Sequence, residues 1–171
     1  MATPILATKL YIPPPRPKVV LRPRLIERLN EGLRAGRRLS LLAAPAGFGK
    51  TTLLSEWVHQ EDEGRRTHAP ASRSGVKDES GATIHPSSFI PHAQRSRVAW
   101  LSLDESDNDL SRFLMYVVAA LQTIDAGLGA EALDLLGASQ PPAELILTTL
   151  INKVAGTPQE IILVLDDYHL I

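Results

Sequence analysis

Residues 44–52 read APAGFGKTT, and no other stretch limits the fold of this 171-residue chain so tightly. The pattern G-x-x-x-x-G-K-[ST], set between a strand and a helix, wraps a backbone around phosphate. Gly49, Lys50 and Thr51 fill its last three places, and Ala44 stands at the first. Gly47 supplies a further glycine inside the turn, where the chain must close tightly. Upstream, RRLSLLAAP (37–45) has the short apolar run of a buried strand. Downstream, Lys50 to His59 puts Leu53, Leu54, Trp57 and Val58 on one helical face.

Each residue type in the loop has a physical task. The backbone N–H groups of Ala46, Gly47, Phe48, Gly49, Lys50 and Thr51 are expected to converge on a phosphate, helped by the positive end of the helix that follows. Lys50 would bridge the β- and γ-phosphates, and the Thr51 hydroxyl would ligate Mg²⁺. A magnesium of that kind is held from a second side by an aspartate ending a later apolar strand. IILVLDD (161–167) offers one in Asp166, and Asp167 stands where an acid would activate water. Two aspartates ending a strand at solvent, with no catalytic part for the second, remain the plainer alternative.

The rest of the chain places these segments in an α/β frame. RVAWLSLD (97–104) is a further apolar strand. Helices are expected from Pro23 to Ala35, with Gly36 as cap, from Leu110 to Ile124, over 130–137 and from Pro142 to Val154. Three near-continuous apolar strands separated by helices predict a parallel sheet covered on both faces, an incomplete three-layer sandwich of the P-loop NTPase class. Residues 1–22, with PPPRP at 13–17, read as an extended proline-rich arm. Residues 23–171 then form the truncated nucleotide-binding domain. Within it, residues 60–96 are rich in Ser, Gly, Pro and charge, and are expected to be a disordered insert.

Composition narrows the function. There is no cysteine, so disulfides and thiolate metal sites are excluded. No apolar run reaches the roughly 20 residues of a membrane span. The start, MATPILATKLYIPPPRPK, has prolines where a signal peptide needs a continuous apolar stretch, so a cytoplasmic protein is expected. The net charge of −1 hides a basic first third and an acidic last part: ten Lys/Arg against three Asp/Glu over 1–60, two against eleven over 101–171. The basic residues lack interleaved aromatics, so direct DNA binding by this chain is not expected.

The stretches TKLYIPPPRPKVVLRPRLIERL (8–29), APAGFGKTT, VAWLSLDESDNDLSRFLMYVVAALQ (98–122) and LVLDDYHLI (163–171) together resemble the ATP-dependent transcriptional regulators of the LuxR type, members of the STAND class of P-loop ATPases. That resemblance implies an N-terminal nucleotide-binding portion of a longer regulator, switched between a resting ADP form and a self-associating ATP form. It implies phosphate contacts by Gly47, Gly49, Lys50, Thr51 and Thr52, and an acidic pair in Asp166 and Asp167. It places Val20, Leu21 and Arg22 near adenine. It also implies that the strand between RRLSLLAAP and IILVLDD comes from later sequence. The expectation is therefore a marginally stable module with weak or absent turnover, its partners being nucleotide, further copies or the rest of the regulator.

Two other readings stay open. A free-standing P-loop enzyme such as a small-molecule kinase would need lid arginines, for which Arg65, Arg66, Arg73, Arg95 and Arg97 are the candidates. An inert remnant would keep the motif without the pocket. His68, His85 and His92 are irregularly spaced and read as solvated rather than metal-bound.

Overall fold

The computed structural model describes residues 5–16, 20–67, 97–137 and 142–171. Two helices, α1 (Pro23–Arg34) and α2 (Lys50–Thr67), precede strand β1 (Arg97–Ser102). Helices α3 (Leu110–Gln122), α4 (Ala130–Gly137) and α5 (Ala143–Ala155) lead to strand β2 (Ile161–Asp166). The strands pair in parallel, Arg97 opposite Ile161 and Ser102 opposite Asp166. Both are runs of apolar residues because each faces a core on either side.

The alternation of side chains along the strands sorts them into those two cores. Ala99, Leu101 and Leu103 pack with Leu114, Val118 and Leu121 of α3, Ala132 of α4, and Ile146 and Leu150 of α5. Trp100 and Val164 point the other way, onto Ile26 of α1 and Leu53, Trp57 and Val58 of α2. Each Leu, Ile or Val among them contributes about 1.5–3 kcal/mol on full burial. The Trp57 indole N–H, carried inward with its ring, donates to Asn30 Oδ1 at 2.7 Å. Helices thus cover both faces of a two-stranded sheet.

Local sequence explains the helix ends. Pro23 opens α1, where its missing N–H costs nothing. Gly36, at φ 66°, closes it: the Gly36 N–H donates to Leu33 and the Arg37 N–H to Gly32, the paired bonds of a Schellman cap. Asp109 caps α3 by accepting from the Arg112 N–H at 2.8 Å, as the ESDND turn suggests.

Three expectations are corrected. RRLSLLAAP is not a strand; among the described residues the sheet has two strands, not three. Leu39 and Leu41 are exposed, 84% and 79%, because no strand among the described residues pairs with this segment and no core forms over it. Helix α2 does not stop at His59 but runs to Thr67, since QEDEGRRT holds good helix formers and no proline. Residues 60–67 of the expected insert thus continue α2, and 68–96 lie outside the described residues. The N-terminal arm is not extended throughout. Ala7–Leu10 form a 3-10 turn whose Lys9 is buried, while residues 1–4 and 17–19 of the arm also lie outside the description.

Among the described residues, no helix is long and apolar enough to cross a membrane.

Candidate functional site

The loop between 44 and 49 turns on two glycines in the left-handed region, Gly47 at φ 81° and Gly49 at φ 78°. Other residues adopt such angles only at a cost, which is why the sequence spends its glycines here and not at position 44. The turn leads straight into α2, so the free N–H groups of the first helical turn face the same side as the loop.

Two side chains tie the loop down. The Lys50 ammonium donates to the carbonyls of Ala44 at 2.8 Å and Pro45 at 3.3 Å. The Arg22 guanidinium donates to the Phe48 carbonyl at 2.9 Å. Lys50 therefore braces the first half of the turn and Arg22 the second.

The acidic strand arrives from 115 residues away. Thr51 Oγ1 donates to Asp166 Oδ1 at 3.0 Å, and the Asp167 N–H donates to the same oxygen at 3.1 Å. Asp166 is buried, and burial raises its carboxyl above the usual aspartate range. The Thr51 hydrogen bond and the charge of Lys50 pull the other way. Asp167 takes a left-handed conformation, φ 57°, the one non-glycine residue to do so among those described. This turns the chain sharply at the end of β2 and leaves the Asp167 side chain half exposed.

An open cleft of about 890 Å³ runs between the 39–46 segment and β2. Ala46, Lys50, Asp166 and Asp167 line one end, so four of the expected site residues share it. Thr51 joins through its bond to Asp166. Gly47, Phe48, Gly49 and Thr52 sit in or beside the turn without lining the cleft. Val20 and Leu21 are largely exposed and also stand outside it. Tyr168 and His169 line the cleft beside the aspartates, which sequence reasoning missed. Their position two and three residues after Asp166 was the available signal.

Of the arginines considered for a lid, Arg97 donates to the Ile124 carbonyl at 2.8 Å and holds the end of α3. Arg73, Arg95 and the three histidines fall outside the described residues. Among the described residues, no group of three or more His, Asp or Glu forms a metal cluster. The Thr51 hydroxyl and Asp166 carboxylate are instead a pair of hard oxygens. That suits Mg²⁺, which binds few protein ligands and keeps water and phosphate for the rest.

No protein-family model matches the chain. Individual proteins do. The chain is 30% identical over 169 residues to the HTH-type transcriptional regulator MalT of Cronobacter sakazakii (strain ATCC BAA-894), covering 98% of this chain and 15% of that protein. The same figures hold for MalT of Yersinia pestis (strain Pestoides F) and of Yersinia pseudotuberculosis serotype O:1b. The chain thus spans about 15% of the length of the curated relatives it matches. The resemblance to LuxR-type regulators is borne out. Over nearly its whole length, the chain is similar to a stretch of the HTH-type transcriptional regulators called MalT.

Proposed function

We propose that this chain is the nucleotide-binding module of a signal-responsive, cytoplasmic transcriptional regulator. Residues 46–52 would hold ATP or ADP, and Thr51 and Asp166 are the side chains that would hold Mg²⁺. The bond from Thr51 Oγ1 to Asp166 Oδ1 carries this reading. It brings together, from opposite ends of the chain, the two oxygen donors that a phosphate-bound magnesium needs. Tight glycine turns at the head of α2 support the phosphate half of the site.

The residues divide the work as follows. N–H groups from Ala46 to Thr51 bind the β-phosphate. Lys50 exchanges its two carbonyl partners for phosphate oxygens. Asp166 would serve as the carboxylate partner of the metal, and Thr52 would continue the donor array. The metal supplies neutralisation of phosphate charge. Asp167, half exposed beside the cleft, would take the proton of a water that attacks the γ-phosphorus as the bond to the β-phosphate oxygen breaks and ADP leaves. Base contact falls to the exposed Val20 and Leu21.

The three-layer sandwich is completed when one more strand fills the cleft. Its support is the edge of β2 that pairs with no strand among the described residues and that lines the cleft together with the 39–43 segment.

Calorimetry with MgATP and MgADP on the 171-residue chain, beside Lys50→Ala, tests the assignment. Dissociation constants on the order of micromolar, or about −8 kcal/mol, are expected, with binding lost in the variant. A chain that is folded by circular dichroism yet binds neither nucleotide would sink this reading.

A further inference from the structure

We propose that Arg22 is a positioning residue for the phosphate loop, fixing the Phe48–Gly49 peptide so that the Gly49 N–H is presented to phosphate. This rests on the reading that the loop holds phosphate.

Arg22 is itself fixed. It stands at the N-cap of α1, where its carbonyl accepts from the N–H groups of Leu25 at 2.9 Å and Ile26 at 3.2 Å. Pro23 follows it and stiffens the backbone at the start of the helix. The Arg22 side chain does not cap the helix. It reaches over the loop, where Nη1 donates to the Phe48 carbonyl at 2.9 Å. Nη2 lies 3.8 Å from the point a Cβ on Gly49 would occupy. The planar guanidinium therefore covers one side of this peptide unit.

The consequence follows from peptide geometry. No peptide bond among the described residues is cis. In a trans peptide the C=O of one residue and the N–H of the next point in opposite directions. With the Phe48 carbonyl held toward Arg22, the Gly49 N–H is held away from it. At φ 78°, Gly49 is free enough to turn the other way if that tether is cut. The remaining bond within this half of the turn, Phe48 N–H to the Pro45 carbonyl, is long at 3.4 Å. Arg22 thus acts on the phosphate through the main chain, not on the base.

Calorimetry of the full 171-residue chain separates the two roles, with MgATP and inorganic tripolyphosphate as probes. Arg22→Ala is expected to weaken both by the same factor, about tenfold, as loss of one charge-assisted hydrogen bond implies. Weakening of MgATP alone would assign Arg22 to the base and overturn the proposal. No weakening of either would also overturn it. The ¹³C resonance of the Phe48 carbonyl, measured in the free chain, is a second readout. It is expected to shift in Arg22→Ala while the thermal midpoint stays put, because Arg22 is exposed. An unmoved Phe48 resonance refutes the tether, whatever the binding data show. If the unaltered chain binds neither probe while that resonance does move, the phosphate assignment fails and the tether stands.

Discussion

Lys9 is the residue that sequence reasoning placed worst and that the structure uses hardest. It sits in a proline-rich arm, yet its ammonium is buried between Asp104, at 2.8 Å, and Asp107. Arg112 reaches Asp107 from the other side at 3.3 Å, and the Tyr116 ring lies 4.7 Å from the Lys9 ammonium. Burial opposes the charge on Lys9, but hydrogen bonds to the two aspartates outweigh it and raise its pKa. The Lys9 hydrogen bond, chiefly, lowers Asp104 to about 2. The signs define a window. The Asp104 contribution is complete above the ordinary 3.8 and fades as pH falls through about 2. The Lys9 contribution is complete below the ordinary 10.5 and fades as pH rises past its higher folded value. Lys9→Ala is expected to cost about 3 kcal/mol at neutral pH, because it strips a partner from the buried Asp107. Denaturant titration checks this, and a midpoint equal to that of the unaltered chain would show the cluster to be idle. Nothing near Lys9 in sequence announces the burial, since Asp107 is 98 residues away.

At the scale of elements, what was legible is what is local. The cores of α1, α2 and α3 follow from 3.6-residue spacing, and their caps from single residues such as Gly36 and Asp109. The 37–45 segment misled because its pattern is that of a strand while pairing is decided elsewhere. An apolar run states a preference, and a ladder needs a neighbour. The loop at 46–52 was readable for the opposite reason: its glycines, lysine and threonine act within one turn. Another glycine was not singled out. Gly129, at φ 73° just before α4, is packed so closely that a Cβ would stand 2.7 Å from Val118 Cγ1 and 3.1 Å from Leu150 Cδ1. This contact lets α3, α4 and α5 close on one another. Gly129→Ala combines overpacking with backbone strain, and is expected to cost about 2 kcal/mol. Scanning calorimetry should record it as a midpoint several degrees lower; an unchanged midpoint would mean that the helices slide apart freely.

For the whole molecule, the open question is what occupies the cleft beside β2. Glu160 and Asp166 accept from Arg97 and Leu103, so even-numbered residues of this strand turn their backbone groups toward β1. By alternation, Ile161, Leu163 and Leu165 turn theirs toward the cleft. Hydrogen exchange on the 171-residue chain should therefore protect Ile162 and Val164 strongly, and Leu163 and Leu165 weakly. Equal protection would show the edge already covered, by a second copy of the chain, and would contradict a slot awaiting a further strand. Uncovered, such an edge invites pairing between molecules. The two helical layers, by contrast, are complete on both faces of the sheet. The charge asymmetry of the sequence maps onto the site, with the basic first third supplying Arg22 and Lys50, and the acidic last part Asp166 and Asp167.

The bond between Thr51 and Asp166 also sets an order of events during synthesis. Ribosomes add about 5–20 residues per second, so roughly 6–23 s pass between the two residues entering the growing chain. Throughout that interval the glycine turn and α2 can form, but the carboxylate that completes the oxygen pair does not yet exist. Parallel pairing of β1 with β2 must wait too, because β2 follows β1 in the chain. The nascent chain can therefore form the glycine turn well before the Thr51–Asp166 bond is possible. Closure of the Thr51–Asp166 contact is thus timed by translation.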